Sequence, residues 1–249
     1  VGGAFRSLRA VDGWLGLSLA RDSDRELIPA LVEQPVVDDP WRAVETWLHE
    51  RSILEAVDRA RLLGLPAGVV ATSPAPMGHR AVGVTLGAAK PRALRGLGID
   101  AADHVANGRI WIAITAYGRD HPERVGFGDD VAAAAGLVDD DGDRPYPVGD
   151  AIADPLAGVT AAAAAAAALR AQRGCLLDVS MYDVTAAAAR LPGAAIAVVH
   201  RADGWWVEVG ETTVPVRPPR ARVPHARAPG LGAHTTAVLD SVRRTSAFS

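Results

Sequence analysis

The residue pattern predicts an α/β protein, and three observations carry that prediction. Strand-like and helix-like spacings alternate between Val131 and Arg190, as they do when helices pack on a sheet. The run Ile110-Trp111-Ile112-Ala113-Ile114 is apolar at every position, which is the signature of a parallel strand covered on both faces. Residues 155–170 are mostly alanine and read as one long helix.

The elements follow in order. Asp12-Gly13 between apolar alternations marks a hairpin turn. Residues 22–32 read as a helix capped at Asp22 or Ser23, with Pro29 as a kink point. Residues 41–63 repeat the helical spacing through Val44, Trp47, Leu48, Ile53, Leu54, Val57 and Ala60 until Gly64 and Pro66 stop it. Residues 67–71 form a short strand. Residues 72–78 read as a linker, 81–86 as a strand and 91–97 as a short helix. Asp129-Asp130 caps a helix over 131–138, and 139–143 is an acidic turn. The alanine-rich helix has Asp154 as its cap and Pro155 at its first position, and Gly174 marks its end. A strand over 176–179 and a helix over 181–190 follow. Strands at 195–199 and 205–209, packed by Trp205 and Trp206, then lead through a proline-rich strap to a last helix over 235–244. Three parts result: an α+β unit over 4–72, a linker and strand over 73–90, and a third part over 91–249.

Composition narrows the function classes. The chain has 249 residues, 49% of them hydrophobic and 22% charged, so it has the makings of a folded soluble protein. A net charge of −3 gives no field for a nucleic-acid backbone or an anionic membrane. The four arginines between 217 and 227 stand among prolines without interleaved aromatics, which fits an extended strap. The longest near-apolar run falls short of the roughly 20 residues a membrane span needs. No secretory pattern opens the sequence, and a lone cysteine, Cys175, suits a reducing compartment and a buried, inert thiol. A cytoplasmic location is expected. The seven histidines show no ligand spacing with Cys or Glu, so no metal is expected.

A set of short motifs stands in a fixed order across residues 91–187. They are Pro91-Arg92-Ala93-Leu94-Arg95-Gly96-Leu97-Gly98, then Ile114-Thr115-Ala116-Tyr117-Gly118, then Gly126-Phe127-Gly128-Asp129-Asp130. Ala151-Ile152-Ala153-Asp154-Pro155-Leu156-Ala157-Gly158 and Leu177-Asp178-Val179-Ser180-Met181 complete it. In order and spacing this stretch resembles the catalytic segment of the family III CoA-transferases, the formyl-CoA transferase and α-methylacyl-CoA racemase group. The tail Ala228-Pro229-Gly230-Leu231-Gly232-Ala233-His234-Thr235 resembles that family's C-terminal signature. Residues 5–67 resemble its small domain, placed ahead of the catalytic segment instead of after it. The nucleotide-binding half with which family members open has no counterpart here.

The resemblance implies a shortened, permuted member: a partial Rossmann-like CoA-transferase layer with a small α+β accessory unit at the N-terminus. It implies no bound cofactor, a coenzyme A thioester as substrate, a carboxylic acid as acceptor, and a homodimer. In the family an aspartate attacks the thioester and comes to carry CoA as an aspartyl thioester. Asp129 and Asp130 are the candidates, Asp129 first; an ungapped alignment sets the family's aspartate one position earlier, at Gly128. The residue-level alternative is that both simply cap a helix. Asp154 matches a proton-transfer base of the racemases, whose partner histidine has no equivalent beside Asp129. Gly118, Gly126 and Gly128 match a loop over the thioester, and Arg92 and Arg95 lie where the family contacts CoA phosphates. A transferase, a non-catalytic remnant that binds a partner protein, and a racemase or isomerase are the three readings.

Overall fold

A computed structural model describes residues 3–73, 84–87, 105–140, 142–191, 196–217 and 226–246, with side chains for those outside 84–87 and 242–246. The chain divides into two compact units, Val1–Pro192 and Gly193–Ser249. It is a mixed α/β structure with several small sheets.

In the first unit, β1 (Phe5–Arg9) and β2 (Trp14–Ser18) form the hairpin set by Asp12-Gly13, in the register Leu8↔Leu15 and Arg9↔Trp14. Asp12 does more than turn the chain: its Oδ1 accepts the Ile53 amide at 2.7 Å and so anchors a helix start. The expected helix over 22–32 is two short ones, α1 (Asp22–Glu26) and α2 (Ile28–Leu31), because Pro29 opens a new helix instead of kinking one. The continuous pattern over 41–63 likewise splits into α3 (Pro40–Leu48) and α4 (Ile53–Leu62). Each has its own cap. Asp39 accepts from the Trp41 and Arg42 amides, and Ser52 accepts from Glu55. β3 (Ala67–Val69) adds antiparallel to β2 and completes the order β1-β2-β3, leaving β1 as an edge. Leu15, Leu17, Ile28, Leu31, Val44 and Leu48 are fully buried between this sheet and its helices.

The second sheet of this unit has the order β4-β8-β5. β4 (Val84–Gly87) runs antiparallel and β5 (Ile110–Thr115) parallel to the central β8 (Cys175–Ser180). β8 is buried at every residue, Cys175 included. β5 corrects the sequence reading: it is apolar, yet Ile112 and Ile114 are 42% and 48% exposed on one face. Among the described residues β5 lies at the edge of its sheet, and the face carrying Ile112 and Ile114 is left partly uncovered.

Between these strands, α5 (Gly128–Ala134) starts three residues earlier than expected, which brings both aspartates inside its first turn. The expected acidic turn is the loop of a hairpin between β6 (Val138–Asp140) and β7 (Pro145–Pro147). Helix α6 (Ala153–Arg170) also begins early, so Asp154 is its second residue and not its cap. Its end is a Schellman motif built on Gln172 at φ 50°: Gln172 N–H donates to Leu169 and Arg173 N–H to Ala168. Gly174 serves another purpose, since a Cβ there would collide with the Val105 carbonyl and with Gly108. α7 (Met181–Ala189) is capped by Ser180, whose Oγ accepts the Asp183 amide. Ala132, Ala153, Ala157 and Ala161, with Val131 and Val179, make a small-residue core where α5, α6 and α7 meet.

The second unit is a meander, β9 (Ala197–Arg201), β10 (Gly204–Val209) and β11 (Thr212–Pro215), with α8 (Thr235–Ser246) beyond it. β11 falls in the stretch read as strap. Trp205 is 54% exposed instead of packed, with the His200 ring 4.6 Å away. Most of the linker over 72–78, the helix over 91–97 with Arg92 and Arg95, and residues 218–225 of the strap lie outside the described residues. Among the described residues no helix is long and apolar enough to cross a membrane.

Candidate functional site

The sequence-derived aspartates converge where the first turn of α5 meets the start of α6. Asp129 is half-buried, and its Oδ1 accepts the Ala151 amide at 2.8 Å. Ala151 holds φ 47°, a left-handed conformation that costs an alanine about 1–2 kcal/mol. The loop before α6 therefore stores strain at the residue that orients Asp129. Burial raises the Asp129 carboxyl above the usual range, and the Asp150 charge adds to it, against the opposing effect of the Ala151 bond. Asp154 is raised as well, first by burial and then by the Asp129 charge.

Gly128 lies between these acids. A Cβ at this position would run into the Asp154 carboxylate and sit 2.7 Å from the Ala151 Cα and Cβ. The volume a side chain would take at 128 is thus already filled by the loop that holds Asp129. Gly126 is similarly enclosed, with Val131 Cγ2 2.7 Å and Ala116 Cβ 2.9 Å from where its Cβ would be. Gly118 differs: its φ of 83° is what requires glycine. The loop glycines permit close packing at two positions and a tight turn at the third.

Asp130 faces the opposite way. It is 0% exposed and accepts from Ser18 Oγ at 2.7 Å and from the Phe127 amide at 2.9 Å. Burial pushes its carboxyl up to about 7 in spite of both bonds. Its Oδ2 has no hydrogen-bond partner among the described residues. Ser18, on β2, was not singled out from sequence, and no local pattern marks a partner 112 residues away. Tyr117 was missed too. Its hydroxyl is buried and pushed up by desolvation and by Asp130, and the Arg124 guanidinium lies 3.4 Å from its ring centroid. Burial in turn lowers Arg124.

Chemically, then, the structure offers one half-exposed carboxylate with a single oxygen tied down, a second carboxylate beside it, and a third sealed inside. Among the described residues no group of three His, Cys, Asp or Glu side chains is placed to hold a metal ion.

No match was found among curated proteins or among solved structures. Residues 79–195, the stretch that holds every one of these aspartates, match the model of CoA-transferase family III.

Proposed function

We propose that the chain moves CoA between an acyl-CoA thioester and a carboxylic acid, with Asp129 as nucleophile. The observation that carries this reading is the Asp129–Ala151 contact. One carboxylate oxygen is held by an amide from a strained loop, and the other has no partner among the described residues. Oδ2 would attack the thioester carbonyl carbon, the C–S bond would break, and the CoA thiolate would leave behind an acyl–aspartyl anhydride. The thiolate would then attack the aspartyl carbonyl, releasing the acyl carboxylate and leaving CoA on Asp129 as a thioester. An acceptor carboxylate would reverse the sequence. Asp154, raised by burial and by Asp129, is suited to hold a proton beside the reacting group. The sealed position of Asp130 supports Asp129 as the attacking residue and gives Asp130 a structural role. The three-stranded sheet β4-β8-β5 with α6 and α7 packed on it supports a partial CoA-transferase layer.

A second reading rests on Gly128. The alignment sets the family's aspartate there, and the site has no room for one, which favours a non-catalytic remnant that binds another protein. The same crowding excludes a histidine at 128 and disfavours the racemase reading. Intact-mass analysis after incubation with short acyl-CoA thioesters separates the two. A covalent CoA adduct on wild type that hydroxylamine releases and Asp129→Ala lacks is the transferase outcome. A folded protein with no adduct across the series would leave the remnant reading.

A further inference from the structure

Away from the aspartates, the edge of β1 that pairs with no strand among the described residues borders two adjoining cavities of about 390 and 470 Å³, which share Ser7 and Arg144. One wall is α3, whose polar stripe Arg42, Glu45, Thr46 and His49 repeats at helical spacing opposite its buried stripe of Trp41, Val44 and Leu48. The other wall is the start of β7, with Arg144 and Tyr146. β1 itself contributes Arg6 and Arg9. Arg6, Arg9, Arg42 and Arg144, the last with a partner of its own, line the groove beside one lining carboxylate, Glu45.

That balance departs from the rest of the chain, which carries a net charge of −3. Glu45 compensates little: it approaches only Arg6, at 3.9 Å, and both side chains are about half exposed. The Arg9 guanidinium rests over Trp14 at 5.2 Å from the ring centroid, and Arg6 over Trp41 at 4.7 Å. Both heads are thus held by aromatic faces, and Arg6 also faces Glu45. Ser7 adds, at the junction of the two cavities, a buried hydroxyl with no hydrogen-bond partner among the described residues. Arginines preset by stacking, an unused hydroxyl and aromatic surface at Trp14 and Tyr146 match a ligand with several phosphate charges and a flat ring.

We propose that this groove binds the phosphorylated adenosine end of a CoA thioester. The choice of nucleotide rests on the acyl-CoA reading above; the preference for a multiply phosphorylated anion rests on the groove alone.

The test is calorimetric titration of the full chain with adenosine 3′,5′-bisphosphate and with CoA, adenosine serving as the uncharged control. Saturable binding of both phosphorylated ligands and none of adenosine is expected. Arg9→Ala with Arg42→Ala should weaken both at least tenfold. Glu45→Gln should tighten both at least twofold, a gain that misfolding cannot produce. Absence of binding, or binding indifferent to all three substitutions, overturns the groove. Binding of CoA without the bisphosphate also overturns it, while leaving the acyl-CoA reading standing. Loss of the covalent CoA adduct with the groove still binding bisphosphate would instead sink that reading alone.

Discussion

The two cores of the first unit are built from different materials. The core under β1-β2-β3 is made mostly of Leu, Ile, Val and Trp, whereas half of the buried residues in the one joining α5, α6 and α7 are alanine. Large side chains stabilise by the area they remove from water, about 1.5–3 kcal/mol for each fully buried one. Alanines contribute little area, but they let backbones approach, and that approach delivers Asp129, Gly128 and Asp154 to one point. The first core supplies stability and the second supplies proximity.

The sharpest way to break this comparison is to shrink the first core. Leu17→Ala, at a fully buried position on β2, is expected to cost about 2.7–5 kcal/mol in urea unfolding. A much smaller loss would mean that the first core is not the stabilising one.

Next comes the joint between the cores, where Ser18 and Asp130 meet. The folded-state value of Asp130 is raised to about 7 from an ordinary value near 3.8, so folding takes up a proton. The resulting contribution is fully present below about pH 4 and is lost as pH rises through 7. Wild type should therefore lose stability between pH 4 and pH 8, by a few kcal/mol, relative to Asp130→Asn. Parallel melting curves for the two proteins across that range would remove Asp130 as the titrating group.

Enlarging the second core should cost less. Ala157→Leu, on the buried face of α6, is expected to destabilise by about 1–3 kcal/mol through overpacking. Because that helix carries Asp154, any covalent CoA adduct should fall further than stability does. The smallest effect belongs to a helix cap: Ser52→Ala should lower stability by about 1 kcal/mol, read from the same urea curves, without touching the adduct.

What the sequence made legible was local. Asp12-Gly13 sets its hairpin through neighbours in the chain, and the motif order across 91–187 led to the family matched at 79–195. What it hid was either competitive or distant. Gly174 looked like the end of α6, yet Gln172 takes the left-handed position because Gly174 is needed for close backbone packing. The apolar run at β5 reports hydrophobicity and says nothing of which face is covered. Of the site, Asp129 and Asp154 were named from their motifs. Ser18 was not, since its partner lies 112 residues away in the chain. The basic groove was not legible, because β1 and residues 144–147 reach α3 through tertiary packing.

The space closed at Gly128 also constrains descent. An aspartate there would need Asp154 displaced and the backbone at Ala151 moved, so no single substitution at 128 can introduce it into this fold. Position 128 and the 149–154 loop must change together or not at all. Lineages that share the glycine should accordingly share the loop, and a homologue with an aspartate at that position should differ from this chain in both places.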